Sequence, residues 1–179
     1  NKSLLADITL LVVVFIWGAT FVVVQDAIAF LTPFSFNAIR FFIAFLILLL
    51  FYFILIKNKE QHFSIISLKA GVSIGIWLFL GYAFQTIGLL YTTPGKAGFI
   101  TGLRVVLVPI LSYFLLKHKL HTNVVIGVIC ATAGLYMITT LQSTSFGKGD
   151  FFGLLGAFSF AMHIIMTGRH AKHYHAMPL

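Results

Sequence analysis

Six long apolar stretches, separated by short polar breaks, run through this 179-residue chain. They cover residues 8–31, 36–56, 68–90, 97–116, 124–141 and 151–167. None alternates apolar and polar positions as a half-buried strand does, and a segment that crosses lipid must satisfy its own backbone hydrogen bonds. A helix of about 20 apolar residues is long enough to cross the hydrocarbon core. The pattern predicts an all-α integral membrane protein with about six transmembrane helices.

Composition supports a protein embedded in the lipid bilayer. Hydrophobic residues make up 60% of the chain and charged residues only 9%, whereas soluble domains carry about 25% charged residues. The formal net charge of +8 does not indicate a nucleic-acid partner, because the basic residues fall mainly between the apolar stretches. The single cysteine, Cys130, excludes an intrachain disulfide and a zinc site built from cysteines.

The distribution of basic residues predicts the orientation in a bacterial plasma membrane. With a cytoplasmic amino terminus, three basic residues lie outside and eight lie inside, as the positive-inside rule requires. The outer residues are Arg40, Lys96 and Lys148, and the inner ones are Lys2, Lys57, Lys59, Lys69, Lys117, Lys119, Arg169 and Lys172. This imbalance disfavours an antiparallel homodimer, in which both orientations would occur.

Arg104 is a charged side chain inside the fourth apolar stretch. Placing it at that depth costs at least about 2.5 kcal/mol, so we expect it to face protein or water rather than lipid. Helical spacing puts Thr101 on the same stripe. Arg104 is suited to bind an anionic substrate group, and the alternative is that it extends to the interface or contacts a helix-terminal carbonyl. Pro109 predicts a kink one turn after Arg104.

Other polar or aromatic residues within the spans are candidates for substrate binding, each with a structural alternative. Trp17 and Thr20 share one face of the first span and either line a cavity or pack in the core. Trp77 and Gln85 share a stripe of the third span, where Gln85 either contacts substrate or makes an interhelical hydrogen bond. His163 in the sixth span either binds substrate or a proton, or is hydrogen-bonded for structure.

The remaining signals have structural interpretations. Arg40, at the start of the second span, is expected to cap a helix or contact a lipid headgroup rather than act as a gate. No cysteine or nearby carboxylate completes a metal site with the histidines at 118, 121, 170, 173 and 175, so we predict no metal. Small-residue patches predict close helix contacts at Gly71 and Gly75, at Gly98 and Gly102, and at Gly127, Ala131 and Gly134.

Motifs of membrane enzymes and pumps do not occur in the sequence. It has no His-Glu-x-x-His helix, no paired membrane carboxylates and no phosphate-binding Gly-x-x-x-x-Gly-Lys loop. The sequence therefore predicts neither an enzyme nor a cofactor. The four acidic residues lie near span ends or in loops, so proton coupling within this chain would depend on His163.

A weak internal repeat links the first and sixth spans. Aligning Asp7 with Asp150 also brings Trp17 onto Phe160 and Thr20 onto His163. A repeat unit of five spans would place the second copy upside down in the membrane, as in many secondary transporters. We therefore predict a first five-helix repeat at 1–141, followed at 142–179 by an external loop, a sixth span and a cytoplasmic tail that begin the second repeat.

Several short motifs resemble the EamA-type family of drug/metabolite transporters across nearly the whole chain. They are Trp17-Gly18-Ala19-Thr20-Phe21, Pro33-Phe34-Ser35-Phe36 with Arg40-Phe41, Lys96-Ala97-Gly98-Phe99 with Val108-Pro109, and Gly127 through Gly134. The resemblance implies a carrier of ten helices in two inverted repeats, which transports small organic metabolites by alternating access. It also implies a cavity lined by the first, third, fourth and sixth spans.

Two features depart from the family pattern. The chain has about six of ten spans, so a complete cavity requires the remaining carboxy-terminal half. Arg104 stands where related sequences more often carry an aromatic or small polar residue. The alternative to a transporter is a truncated or structural membrane protein without transport activity of its own.

Overall fold

The computed structural model describes residues 2–55, 65–117, 122–140 and 146–170, and every element in these ranges is an α-helix. In chain order the helices are α1 (Lys2–Ile28), α2 (Pro33–Leu55), α3 (Ile65–Leu89), α4 (Pro94–Gly102), α5 (Arg104–Leu116), α6 (Thr122–Thr140) and α7 (Lys148–His170). The predicted all-α membrane fold is confirmed. The predicted cytoplasmic tail after residue 170 lies outside the described ranges.

Five apolar segments among the described residues are long enough to cross a membrane. They are Leu4–Ile28, Pro33–Ile54, Ser67–Leu89, Pro94–Leu116 and Lys148–His170. Helix α6 contains a shorter apolar stretch, Thr122–Gly134. Each of the six apolar stretches in the sequence therefore corresponds to a helical segment, and α4 and α5 together form the fourth.

The fourth span is interrupted at Leu103, immediately before Arg104. The N–H of Leu103 donates to the Ile100 carbonyl at 3.1 Å, and the Leu103 carbonyl accepts from both Val106 and Leu107 at 2.9 Å. These short-range bonds tighten one turn and separate the two helices. The sequence predicted a kink at Pro109, but α5 continues through that residue. Arg104 is consequently the first residue of a new helix.

Helix α7 occupies a central position, where it packs most extensively on α3 and also contacts α4 and α5. Glycines make the α3–α7 contact close. A Cβ atom at Gly156 would lie 3.3 Å from the Gly81 carbonyl oxygen, and one at Gly149 would lie 3.0 Å from the Gly88 carbonyl oxygen. Such close approach of backbones is typical of small-residue helix contacts in membranes.

Several glycines of the patches predicted from GxxxG spacing make no close contact with the described residues. A Cβ at Gly75, Gly127 or Gly134 would meet nothing within 4 Å, and one at Gly98 would meet only the Phe21 ring, at 3.9 Å. The close contacts instead involve Gly81 and Gly88 of α3 and Gly149, Gly153 and Gly156 of α7. Gly149 and Gly153 are themselves four residues apart, but the spacing within α7 does not identify the helix that they contact.

One end of the bundle is tightly packed, and we call it the Leu89 end. Ile28, Leu89 and Ala97 are buried together there with Val24. The Gln25 side chain donates to the carbonyls of Leu89 and Thr92 at 3.2 and 3.0 Å, which ties α1 to the α3–α4 connection. The opposite half of α1 lacks such packing, since apolar side chains from Leu4 to Ile16 are exposed.

A buried ion pair joins α4 to α7 near the same end. Lys96 Nζ lies 2.8 Å from Asp150 Oδ2, and the two side chains are 13% and 5% exposed. The Gly147 N–H donates to the same carboxylate oxygen at 2.8 Å. Asp150 lies in the first turn of α7, where the helix dipole favours a negative charge. Two residues that sequence analysis placed in separate outer loops are thus in direct contact.

We expect Gly149→Ala to lower the thermal stability of the purified full-length protein in detergent. The new methyl group would lie 2.8 Å from Thr92 Cβ and 2.9 Å from the Tyr91 carbonyl carbon, and such overpacking costs about 1–3 kcal/mol. Gly168→Ala on the same helix is the matched control, because a Cβ there meets nothing within 4 Å. Equal melting temperatures for the two variants would contradict the close packing at Gly149.

Candidate functional site

The guanidinium of Arg104 lies on the face of an indole ring. Its central carbon is 3.8 Å from the centroid of Trp17 and 5.9 Å from that of Phe160. Trp17 is in the middle part of α1, and Phe160 is a buried residue of α7. A cation over an aromatic face is attracted by about 0.5–2 kcal/mol, depending on its desolvation. Three helices therefore contribute to the position of this charge.

Arg104 lies deep in the fourth membrane-spanning segment. Arg104 comes ten residues after Pro94, the start of the span Pro94–Leu116, which corresponds to about 15 Å at the α-helical rise. That depth is near the middle of a hydrocarbon core of about 30 Å. The side chain is partly buried. Its contact with Trp17 is directed toward another helix, as expected for a charge at that depth.

A second guanidinium has the same arrangement on a neighbouring helix. The central carbon of Arg40 lies 4.4 Å from the Tyr82 ring centroid. Tyr82 in turn meets Phe160 edge to face, with ring centroids 5.1 Å apart. The Phe160 ring is thus near both the Arg104 guanidinium and the ring that holds Arg40. Sequence analysis assigned Arg40 a capping or headgroup role and did not identify Tyr82 or Phe160 as site residues.

Two recesses lie beside these charges, and Trp17 lines both. One, of about 420 Å³, is lined by Trp17, Phe21, Gly98, Thr101 and Arg104 among others. Another, of about 350 Å³, is lined by Trp17, Thr20, Arg40 and Tyr82 together with apolar residues of α1. The volumes are within the range of small-molecule sites, about 300–1,000 Å³. The walls are mainly apolar, and the guanidiniums are their charged groups.

Hydrogen bonds fix the polar residues around the recesses. Gln85 donates to the Thr101 hydroxyl at 3.0 Å, and both side chains are buried. The interhelical bond that sequence analysis gave as one alternative for Gln85 is therefore present. The Thr20 hydroxyl donates to the Trp17 carbonyl at 2.6 Å.

A hydrogen-bonded cluster supports Tyr82. Asn37, which is only 1% exposed, donates to the Thr86 hydroxyl at 3.1 Å. Thr86 donates to the Tyr82 carbonyl at 2.7 Å. This contact holds α2 against α3 one turn before Arg40. In the sequence, this contact is indicated by Asn37, an amide within an otherwise apolar stretch.

The structure brings together five of the seven predicted site residues and leaves two apart. Trp17, Thr20, Thr101 and Arg104 line the recesses, and Gln85 is joined to them by its hydrogen bond to Thr101.

Trp77 and His163 line neither recess. Trp77 packs edge to face on Phe158 with centroids 6.1 Å apart, and His163 Nδ1 lies 3.2 Å from the Ile74 carbonyl oxygen. These contacts fit the structural alternative for both residues, and their role in transport stays a prediction.

Metal ligands were also considered in the sequence. Within the described residues, no group of three or more histidine, cysteine, aspartate or glutamate side chains is arranged to hold a metal ion. His170 Nδ1 lies 2.8 Å from the Met166 carbonyl oxygen at the end of α7. The histidines at 118, 121, 173 and 175 lie outside the described residues.

Comparisons with known proteins identify the family. The profile of the EamA-like transporter family matches residues 4–140, which extend from α1 through α6. The resemblance found in the sequence motifs is thereby confirmed. Comparison with solved structures gives no match.

Related sequences are known from archaea and bacteria. An uncharacterized transporter of Archaeoglobus fulgidus is 41% identical over 171 residues, which are 96% of this chain and 51% of that protein. The uncharacterized transporters YoaV and YyaM of Bacillus subtilis are 26% and 29% identical, over 90% and 87% of this chain and 56% and 53% of their own lengths. The chain thus spans about half the length of these relatives. With its membrane-spanning helices, this multi-pass membrane protein belongs to the EamA-like transporter family.

Proposed function

We propose that the chain is part of a secondary transporter that carries small organic metabolites across the plasma membrane by alternating access. The observation that carries this proposal is the Arg104 guanidinium, held on Trp17 beside a recess within the membrane-spanning region. A charge at this depth is costly, and such residues generally mark a substrate or ion pathway. Membership of a transporter family supports the same function.

The arrangement of the repeat is part of the proposal. Residues 1–141 form a first five-helix unit, and α7 begins a second unit of inverted orientation. The alignment that matches Trp17 with Phe160 supports this, because both rings face the Arg104 guanidinium. Helix α7 also packs against α3 and α4. In the whole protein, the remaining carboxy-terminal half completes the cavity.

Unequal packing at the two ends of the bundle supports alternating access. The Leu89 end is closed by a buried apolar cluster and by the Gln25 hydrogen bonds. The opposite half of α1 is exposed. With a cytoplasmic amino terminus, the Leu89 end faces outward, so these contacts would close the described helices on the outer side. Outward opening then requires α1 to separate from the α3–α4 connection.

The first test compares metabolites in cells and medium for a host expressing the full-length protein or its variants. We expect Arg104→Ala, Trp17→Ala and Gln85→Ala to reduce the transporter-dependent change in at least one small metabolite, with membrane insertion unaltered. Arg169→Ala, which removes an exposed arginine at the end of α7, is the control. Unchanged transport in all three site variants would rule out this site.

The second test locks the Leu89 end. Cysteines replacing Gln25 and Thr92, in a Cys130→Ser background, are bridged with a short bifunctional thiol reagent. Gln25 Nε2 lies 3.0 Å from the Thr92 carbonyl oxygen, so the pair is close enough to link in the closed state. We expect bridging to stop transport and a reducible bridge to restore it after reduction. The single-cysteine variants are controls, and full transport by the bridged protein would contradict closure at this end.

A further inference from the structure

We propose that the transported substrate is a small organic anion, recognised by the N–H groups of Arg104 in one recess and of Arg40 in the neighbouring recess. This inference rests on the proposed transport function and assigns its substrate class. It also gives Arg40 a binding role in place of the capping role expected from the sequence. The two guanidiniums come from different helices, α5 and α2, and border recesses that share Trp17.

Stacking leaves the hydrogen-bonding groups of both arginines available. A guanidinium on an aromatic ring uses its flat face, whereas its five N–H donors point outward in the plane. Among the described residues, neither the Arg104 nor the Arg40 side chain makes a hydrogen bond or an ion pair. Both side chains are partly buried, and buried donors without acceptors are unfavourable. A carboxylate or phosphate would accept two of these N–H bonds at once from one guanidinium.

Negative side chains do not neutralise this region in the described part of the chain. Asp150 is paired with Lys96 near the Leu89 end. Asp7 and Asp26 are exposed on α1 and make no ion pair with another described residue. The recesses therefore carry two positive charges without an acidic partner. A cationic ligand is repelled there, and a neutral ligand leaves both guanidiniums without a negative partner.

The aromatic residues indicate that the anion has an organic body. Trp17, Phe160 and Tyr82 form the ring surface between the two guanidiniums. The larger recess is lined mainly by apolar groups, including Phe21 and Val14. An inorganic ion has no apolar surface to bury against these walls, whereas a ligand with both a carbon skeleton and an acidic group matches them.

A lipid headgroup offers the same anionic chemistry and is the alternative source. Because the larger recess lies within the membrane-spanning region, the experiment must distinguish a soluble anion from an anionic lipid. We infer a soluble anion, because a recess of about 420 Å³ lined by residues of α1, α4 and α5 matches the size of a compact molecule. The experiment therefore includes separate lipid and soluble arms.

The experiment measures the thermal stability of the full-length protein in detergent with four probes of similar size. Benzoate and phthalate are anions, benzamide is neutral, and benzylamine is a cation. We expect stabilisation by the two anions only. Arg104→Met and Arg40→Met should each weaken the apparent affinity for benzoate about tenfold or more, the loss expected for hydrogen bonds between charged groups. Arg104→Lys, which keeps the charge but not the planar fork, should give an intermediate loss.

Arg169→Met is the matched control and should leave benzoate affinity unchanged. Phosphatidylglycerol and phosphatidylcholine are added in a parallel arm without the soluble probes. Equal stabilisation by benzamide, no stabilisation by either anion, or stabilisation by phosphatidylglycerol alone would each overturn the proposal. If metabolite transport persists in any of these cases, the substrate class is wrong and the transport function stands. If benzoate binds but no metabolite is transported, the transport function fails and the anion site remains.

Discussion

The contact between the Arg104 guanidinium and the Trp17 ring is the interaction on which the proposed transport site depends. A charged group near the middle of the hydrocarbon core needs either a partner or water. The indole face supplies attraction without consuming the N–H donors. The same contact thus stabilises the charge and keeps it available to a ligand. An aspartate in place of the ring would neutralise the arginine and remove its attraction for an anion.

The surrounding helices are arranged to present this charge. The tight turn at Leu103 makes Arg104 the first residue of α5. The glycine contacts between α3 and α7 allow α7 to lie centrally, with Phe160 edge to face with Tyr82 and 5.9 Å from the central carbon of the Arg104 guanidinium. Small residues at the helix crossing therefore serve the site indirectly. They bring large aromatic rings close enough to hold two cations.

The sequence predicted the features that depend on hydrophobic periodicity and on the free-energy cost of placing a charge among apolar residues. Long apolar stretches indicated the helices, and a guanidinium among apolar residues identified Arg104. Motif resemblance indicated the family. The pairing of Arg40 with Tyr82 was missed because it depends on how α2 crosses α3, which no spacing within either helix records. The same limit applies to the glycine contacts of α3 with α7. The sequence predicted a kink at Pro109, whereas the fourth span is interrupted at Leu103.

The most direct test of the central claim is the accessibility of position 104 to a membrane-impermeant thiol reagent. Arg104→Cys and Val105→Cys are compared in full-length protein lacking Cys130, with the reagent applied in turn to each side of the membrane. Val105 is the neighbouring residue, 55% exposed on the helix surface. The account predicts that the water-soluble reagent modifies position 104 and that position 105 reacts only with a lipid-soluble reagent. Modification of both positions by the lipid-soluble reagent alone would show that Arg104 faces the bilayer and would contradict the site.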